Sequence, residues 1–235
     1  YKLRDSLSFL TKEDLYLVSE LLKYFRNKKI NLIHSFLDDT NIIVGISGLI
    51  SNTTRIILSL RNAAPWRWTY YKSYWKECYR FLSTHKNIKI VCNSKNNALD
   101  YEKWLKIKKG SIKITYNIFN FERSGNVKKK KIDINNITFG TLARLAPEKN
   151  LFYLLKIFKE LKLENSYLKI LGKGYLLNRL IKFTKKLGIE DQVRFLPEAN
   201  NVNKYLSTLD IFILSSYMEG TPNVLLEAQN MKLPI

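Results

Sequence analysis

The sequence predicts an α/β protein with two doubly wound units. Two observations support this class: short apolar runs alternate with amphipathic helical segments, and the alternation stops near the middle of the chain and then restarts. Alternating strands and helices are typical of a parallel sheet with helices on both faces. A length of 235 residues, of which 46% are hydrophobic, suffices for one to two domains with substantial cores.

The first half begins with an amphipathic helix, for which Thr11 is a suitable N-cap because apolar residues follow it at helical spacing. Ser94 is placed to cap a later helix in the same way. The predicted helices span residues 12–26, 40–49, 69–83 and 95–105, and the predicted strands span residues 31–34, 55–60, 88–92 and 111–115. We expect these elements to form one domain over residues 1–121.

Residues 122–134 interrupt the pattern, because they have no apolar periodicity. They include four consecutive lysines at 128–131, which fit either an exposed linker or a patch for phosphate or lipid. We interpret the segment as a linker between domains at 1–121 and 135–235.

The second half restarts the alternation of strands and helices. Its predicted strands span residues 136–140, 167–171, 192–196 and 211–214, and its predicted helices span residues 151–161, 175–187, 202–207 and 222–231. Ligands of doubly wound sheets bind at the carboxyl ends of the strands, so the loops that follow strands are the segments to inspect. We expect the site in a cleft between the two domains.

The charge of the chain is strongly positive, with 40 Lys and Arg against 20 Asp and Glu. This excess fits a nucleic acid, an anionic membrane surface or a phosphorylated substrate, and it also fits compositional bias alone. It does not choose among them.

The cysteine count indicates a protein of the reducing cytosol, and the lengths of the apolar runs bear on whether the chain crosses a membrane. The two cysteines, Cys78 and Cys92, fit buried thiols better than a disulfide framework, and no zinc pattern is present. No run is long and apolar enough to span a bilayer, and we predict no signal peptide. The chain starts without Met and ends as if turning into a further strand, which predicts a segment truncated at both ends.

Two loops of the second half combine charge with glycine. Arg144 and Lys149 follow a predicted strand and precede a helix, where cations beside helical amides suit a pyrophosphate; a basic loop with Asn150 as a cap is the alternative. Gly172 and Gly174 allow the backbone to approach a ligand, although an ordinary strand-to-helix turn fits them equally well.

The most informative loop precedes the last predicted helix. Pro222 suits the first turn of that helix, so that Gly220 and Thr221 would offer backbone N–H groups at its positive end. Two carboxylates, Glu219 and Glu227, flank this turn and are separated by seven residues. A helix start with favourable acids is the alternative, but it leaves Glu227 unexplained.

Together, these residues resemble the GT-B glycosyltransferase family 4, whose members are retaining enzymes that use nucleotide sugars. The resemblance implies two Rossmann-like domains that face a central cleft, both incomplete in this chain. It further implies catalytic roles for Arg144 and Lys149, which would hold the diphosphate, and for Glu219, which would hold sugar hydroxyls. The implied donor-binding residues are Gly172, Gly174, Gly220, Thr221, Pro222, Asn223 and, for the ribose, Glu227.

The resemblance also implies that residues 193–197 lie against the nucleobase. It implies that no metal ion or other cofactor is needed, because the Arg and Lys neutralise the diphosphate.

The first half resembles the acceptor domain of the same family, with a weaker match. His34 lies where the family often has a pair of histidines, but Phe36 replaces the second, and Asp38 or Asp39 is the alternative. Arg61 lies in a segment similar to enzymes of bacterial surface-polysaccharide synthesis. The acceptor-side candidates are therefore His34, Asp39 and Arg61. The family's glycine-rich loop near the amino terminus is absent.

A segment at residues 66–76 interleaves aromatic residues with Lys and Arg, which fits either docking on a membrane surface or packing in the core.

The function predicted from the sequence is transfer of a sugar from a nucleoside-diphosphate sugar to a saccharide or lipid-linked acceptor. We expect a cytoplasmic enzyme that does not bind nucleic acid, with contact to the inner face of the cell membrane left open. A basic nucleic-acid-binding protein, a GT-B-like epimerase and an inactive scaffold are the alternatives.

Overall fold

The computed structural model describes residues 10–53, 55–67, 71–118, 132–199 and 201–235. The chain divides into two compact units, Tyr1–Asn117 and Ile118–Ile235. Most of the predicted linker, including the four lysines at 128–131, lies outside the described residues.

The first unit is a parallel sheet with helices packed against it. Its elements are α1 (Lys12–Lys28), β1 (Leu32–Phe36), α2 (Asp38–Ile50), β2 (Arg55–Leu60), a 3-10 turn (Pro65–Arg67), α3 (Trp75–Ser83), β3 (Ile88–Cys92), α4 (Lys95–Leu105) and β4 (Lys113–Ile114). The four strands pair in parallel in the order β1-β2-β3-β4.

Local sequence signals and core packing explain these elements. Thr11 and Asp14 form a capping box at the start of α1, and Ser94 accepts a hydrogen bond from the amide of Asn97 at the start of α4. The core is formed by aromatic and branched side chains, among which Trp75 and Tyr79 are fully buried.

The second unit is also a parallel α/β sheet. Its elements are β5 (Thr138–Leu142), a 3-10 turn (Pro147–Lys149), α5 (Leu151–Glu160), β6 (Tyr167–Leu171), α6 (Leu177–Leu187), β7 (Val193–Leu196), α7 (Val202–Leu206), β8 (Ile211–Phe212) and α8 (Asn223–Asn230). The strand order is β7-β6-β5-β8, so the chain builds outward from β5 on one side and then returns to its other side. Because the strand order reverses between the adjacent strands β5 and β8, the crevice at the carboxyl ends of these two strands is a topological switch point.

The predicted class, α/β with parallel Rossmann-like units, is confirmed in both units. Most element boundaries agree within a few residues, and the largest difference is α3, which begins at Trp75 rather than at residue 69. The preceding loop is held by Asp14 of α1, which accepts hydrogen bonds from Lys72 and Tyr74. In this case a tertiary contact prevails over helical spacing.

Within the described residues, no helix has both the length and the apolar character needed to cross a membrane.

Candidate functional site

The site of the second unit lies at the switch point of its sheet. The loop that follows β5 contains Arg144 and Lys149, and the loop that follows β8 contains Glu219. Two hydrogen bonds join these loops: Ser215 Oγ donates to the Lys149 carbonyl at 2.8 Å, and the Tyr217 amide donates to the Glu148 carbonyl at 2.9 Å. The fold thereby brings together three side chains that the sequence analysis assigned to catalysis.

The ion pair between Lys149 and Glu219 is the closest contact between these loops. Lys149 Nζ lies 2.6 Å from Glu219 Oε1, and the two side chains are only 20% and 22% exposed. A charge-assisted hydrogen bond in this partly desolvated position is stronger than one at the open surface.

Arg144 is paired with Glu148, an acid that the sequence analysis did not select. The guanidinium donates to Glu148 Oε1, and Arg144 is otherwise largely exposed. Burial acts to raise the pKa of Glu148, but a backbone hydrogen bond and the Arg144 guanidinium outweigh it and hold the pKa below its usual value. The pair lies in a loop and a 3-10 turn rather than on an α-helix, so no helical spacing in the sequence identified it.

Gly172 and Gly174 pack against the backbone of the Arg144 loop. A Cβ atom at Gly172 would overlap the carbonyl oxygen of Ala143, and one at Gly174 would overlap that of Leu145. Gly172 also has a φ of +146°, which side-chain-bearing residues rarely adopt. These glycines support the shape of the loop that presents Arg144. Their predicted contact with a donor stays a prediction.

The start of α8 differs from the expected arrangement. Pro222 is the N-cap, with an extended ψ of 122°, and not a residue of the first turn, so the first helical amides are those of Asn223 and Val224. No side chain caps this end of the helix. Gly220 and Thr221 lie in the loop before it.

Glu227 lies inside α8, and its carboxylate is half-buried rather than fully buried as its sequence context suggested. Burial raises its pKa. No hydrogen bond or ion pair to this carboxylate is found in the described parts of the chain.

Residues 193–197, which the family resemblance assigns to the nucleobase, contain β7 and are directly followed by a residue of an exposed ion pair. Lys173, between the two glycines, lies 2.6 Å from Glu198, and both side chains are about two-thirds exposed. The ion pair spans the loops that follow β6 and β7.

In the first unit, His34 lies within β1, and Arg61 directly follows the neighbouring strand β2. His34 Nε2 shares a hydrogen bond of 2.8 Å with Ser59 Oγ, and its ring stacks on Phe36 at 4.3 Å between centroids. Burial, followed by the charge of Arg61, lowers the pKa of His34. The Arg61 guanidinium lies over Phe36 and donates to Asn117 Oδ1 at 2.7 Å. The structure thus brings two of the three acceptor-side candidates together.

The third candidate, Asp39, points elsewhere. Its carboxylate lies 3.6 Å from Lys72 Nζ and is largely exposed, and it makes no hydrogen bond or ion pair with His34 or Arg61.

Its neighbour Asp38 is buried and accepts hydrogen bonds of 2.8 Å from Tyr79 and Tyr101. Burial raises the pKa of Asp38 to about 6, although the two tyrosine hydroxyls oppose this shift.

The aromatic and basic segment is mainly packed. Trp75 is buried, Tyr71 packs edge-on against Trp75 and Trp104, and Lys72 is paired with Asp14. Within this segment the side chain of Trp66 is half-exposed, and residues 68–70 lie outside the described residues.

No cluster of three or more His, Cys, Asp or Glu residues that could hold a metal ion occurs in the described ranges.

Comparison with known proteins relates the chain to glycosyltransferases. Residues 122–235 match the family described as Glycosyl transferases group 1. The chain is 28% identical over 233 residues to the uncharacterized glycosyltransferase MJ1059 of Methanocaldococcus jannaschii, covering 92% of this chain and 57% of that protein. It is 27% identical over 215 residues to the Campylobacter jejuni N-acetylgalactosamine-N,N'-diacetylbacillosaminyl-diphospho-undecaprenol 4-alpha-N-acetylgalactosaminyltransferase, covering 91% of this chain and 59% of that enzyme.

Among solved structures, Anabaena Alr3699/HepE in complex with UDP and glucose has a TM-score of 0.76 at 16% identity, covering 96% of this chain and 64% of that chain. This likeness supports the predicted GT-B class of fold.

The family match and the named relatives also support the prediction of a transferase enzyme, a glycosyltransferase. The chain spans less than two thirds of the relatives and of the HepE chain, so the reaction of the complete protein is a proposal.

Proposed function

We propose that the protein is a retaining GT-B glycosyltransferase of family 4. It transfers a sugar from a nucleoside-diphosphate sugar to a saccharide or lipid-linked acceptor. The observation that carries this proposal is the ion pair of Lys149 with Glu219 at the switch point of the second sheet, with Arg144 on the same loop. A cation and an acid at this position match two adjacent parts of a nucleotide sugar, the diphosphate and the hydroxyl groups of the sugar attached to it.

The two cations are already bound to carboxylate oxygens. Lys149 holds Glu219, and Arg144 holds Glu148, so each cation is oriented towards an anionic oxygen. A diphosphate offers the same kind of oxygen and carries more charge. We therefore expect donor binding to transfer the cations from the carboxylates to the phosphates. Glu219 is then free to accept hydrogen bonds from the sugar, while Glu227 binds the ribose.

The reaction proposed is a displacement on one face of the sugar. The acceptor hydroxyl forms the new bond to the anomeric carbon as the bond to the diphosphate breaks, and the leaving diphosphate takes up the proton of that hydroxyl. Arg144 and Lys149 stabilise the negative charge that develops on the leaving group, so the reaction needs no nucleophilic side chain and no metal ion.

The name of the Campylobacter relative, which includes a diphospho-undecaprenol acceptor, supports the lipid-linked alternative. The complex of HepE with UDP and glucose supports a nucleotide-sugar donor. We propose a cytoplasmic location, where these donors are made. The net charge of +20 is compatible with contact to the anionic inner face of the membrane.

The test is a transfer assay with the full-length protein. Nucleoside-diphosphate sugars are first screened by thermal shift, since a ligand that binds the folded state raises its stability. The stabilising donor is then incubated with and without diphosphate-lipid and saccharide acceptors, and nucleoside diphosphate release and the anomeric proton of the product are measured, with and without EDTA.

Acceptor-dependent release with retained configuration, unchanged by EDTA, is the expected result. Interconversion of the donor sugar without an acceptor would instead identify an epimerase. Binding of nucleic acid without any donor binding would overturn the proposal.

A further inference from the structure

We propose that the first unit contains a phosphoryl-binding site at Arg61, so that the acceptor carries a phosphate or diphosphate next to the sugar. This inference rests on the proposed function and decides between its two acceptor classes, in favour of the phosphorylated one.

Arg61 is held in place by two neutral contacts. The residue directly follows β2, its NH1 group donates to Asn117 Oδ1 at 2.7 Å, and its guanidinium lies 5.0 Å from the centre of the Phe36 ring. A guanidinium has five N–H donors in a planar fork, and Asn117 uses one of them. The remaining donors are oriented with little rotational freedom, which suits bidentate binding of phosphate.

The charge of Arg61 is not neutralised by the protein. In the described ranges of the chain, no carboxylate lies within ion-pair distance of its guanidinium. The two acids at the start of α2 have other partners: Asp38 accepts hydrogen bonds from two buried tyrosines, and Asp39 is paired with Lys72. A partly buried cation with an amide as its fixed partner favours an anionic ligand.

The surroundings of Arg61 are polar but neutral. His34 has a lowered pKa and shares its hydrogen bond with Ser59, and Asn93 donates to the same Asn117 oxygen at 3.4 Å. These groups lie on or after four adjacent strands: His34 is in β1, Ser59 is in β2, Asn93 directly follows β3, and Asn117 comes after β4. The four strands therefore place one cation among hydrogen-bonding groups that do not compete for it.

This arrangement distinguishes a phosphorylated acceptor from a plain saccharide. Sugar hydroxyls are satisfied by neutral partners or by carboxylates and do not neutralise a guanidinium, whose contacts among the described residues are with Asn117 and Phe36. A phosphate oxygen pairs with a guanidinium in a fork geometry and removes the cost of the uncompensated charge. The chemistry matches a phosphate ester or diphosphate.

The experiment measures binding of farnesyl diphosphate to the full-length protein by isothermal titration calorimetry, with farnesol as the uncharged control. Arg61→Gln should weaken farnesyl diphosphate binding at least tenfold. Phe36→Leu, which removes the stacking ring from a partly exposed position, should weaken it about threefold while the charge is retained. Arg55→Gln is the matched control, because Arg55 is exposed at the opposite end of the same strand, and it should change binding by less than twofold.

With excess nucleoside diphosphate present to occupy the donor site, Lys149→Ala should change binding of farnesyl diphosphate by less than twofold, because this ligand then depends on Arg61. Equal losses in Arg61→Gln and Arg55→Gln would show unspecific attraction and overturn the proposal. A loss in Lys149→Ala that equals the loss in Arg61→Gln would place the ligand in the second unit and overturn it as well.

Phosphatidylglycerol vesicles distinguish a lipid headgroup from an acceptor phosphate. Binding to these vesicles should not depend on Arg61. A loss of vesicle binding in Arg61→Gln with unchanged binding of farnesyl diphosphate would overturn the proposal. Arg61-dependent binding in a protein that transfers no sugar would contradict the proposed function alone. Transfer to a plain saccharide at the same KM in wild type and Arg61→Gln, without Arg61-dependent binding, would contradict this inference alone.

Discussion

In the second unit, the two cations at the carboxyl edge of the sheet, Arg144 and Lys149, are each paired with a carboxylate. In the first unit, Arg61 at the carboxyl edge is held by an amide oxygen and an aromatic ring. Both edges present positive charge after a parallel strand. They differ in whether the chain itself supplies the opposite charge.

We therefore expect the two edges to respond differently to an anionic ligand. At the second edge each cation is paired with a carboxylate, so an anionic ligand would compete with Glu148 and Glu219 for Arg144 and Lys149. At the first edge a ligand meets a cation without competition from a carboxylate. The overall charge of +20 is uninformative by comparison, because the local partner decides what a cation can bind.

The largest expected effect is loss of transfer in Lys149→Ala. Removing a group that stabilises charge on the leaving diphosphate should lower kcat/KM about 10²–10³-fold, about 3–4 kcal/mol of transition-state stabilisation. Steady-state release of nucleoside diphosphate measures it. Lys173→Ala is the matched control, since its ion pair has the same length of 2.6 Å but is mostly exposed. Unchanged transfer in the Lys149 variant would remove the diphosphate assignment.

Gly172→Ala should destabilise the second unit by about 3–4 kcal/mol. The new Cβ would overlap the carbonyl of Ala143 and would occupy an unfavourable φ, each of which costs about 1–3 kcal/mol. Urea unfolding measures the change. Gly188→Ala is the control, because Gly188 has a φ of +66° but no atoms near its Cβ position, and it should cost about 1 kcal/mol. Equal effects would show that loop packing is not the constraint.

Asp38→Asn should change how the stability of the first unit depends on pH. Burial raises the pKa of Asp38 from 3.8 to about 6, so the folded state binds this proton more tightly than the unfolded state. Its stabilising contribution is full below pH 3.8 and is lost as the pH rises through about 6. This loss amounts to at most about 3 kcal/mol.

The asparagine variant should lack this decline while keeping an acceptor for the tyrosines. Denaturant unfolding of the wild type and of Asp38→Asn between pH 4 and 7 measures this decline in the free energy of unfolding. A difference in unfolding free energy that does not vary with pH would contradict the burial of a protonated carboxyl.

The sequence predicted the sheets because their signals are local and repeated. Each strand is a short apolar run, and Thr11 and Ser94 cap their helices through residues three positions away. The start of α3 was not predictable in this way, since it depends on hydrogen bonds from Lys72 and Tyr74 to Asp14, about sixty residues earlier in the chain.

The same limit applies to the candidate site. The resemblance to the glycosyltransferase family implied that Arg144, Lys149 and Glu219 act together, and the switch point explains why their loops meet. No local pattern showed that Asp38 turns inward towards two tyrosines while Asp39 turns to Lys72. Neighbouring acids at a helix start look equivalent in sequence, and only the packing of α3 and α4 distinguishes them.

The smallest effect is expected for Glu148→Gln. The Arg144 guanidinium is largely exposed, and exposed ion pairs contribute about 1 kcal/mol or less. Loss of the competing carboxylate should therefore lower the KM for the donor about twofold to fivefold, with kcat nearly unchanged, provided that Glu148 competes with the diphosphate for Arg144. If Glu148 instead orients Arg144 for the phosphate, KM should rise. The direction of the change in KM thus shows whether the paired cations of the second edge are blocked or positioned by their acids.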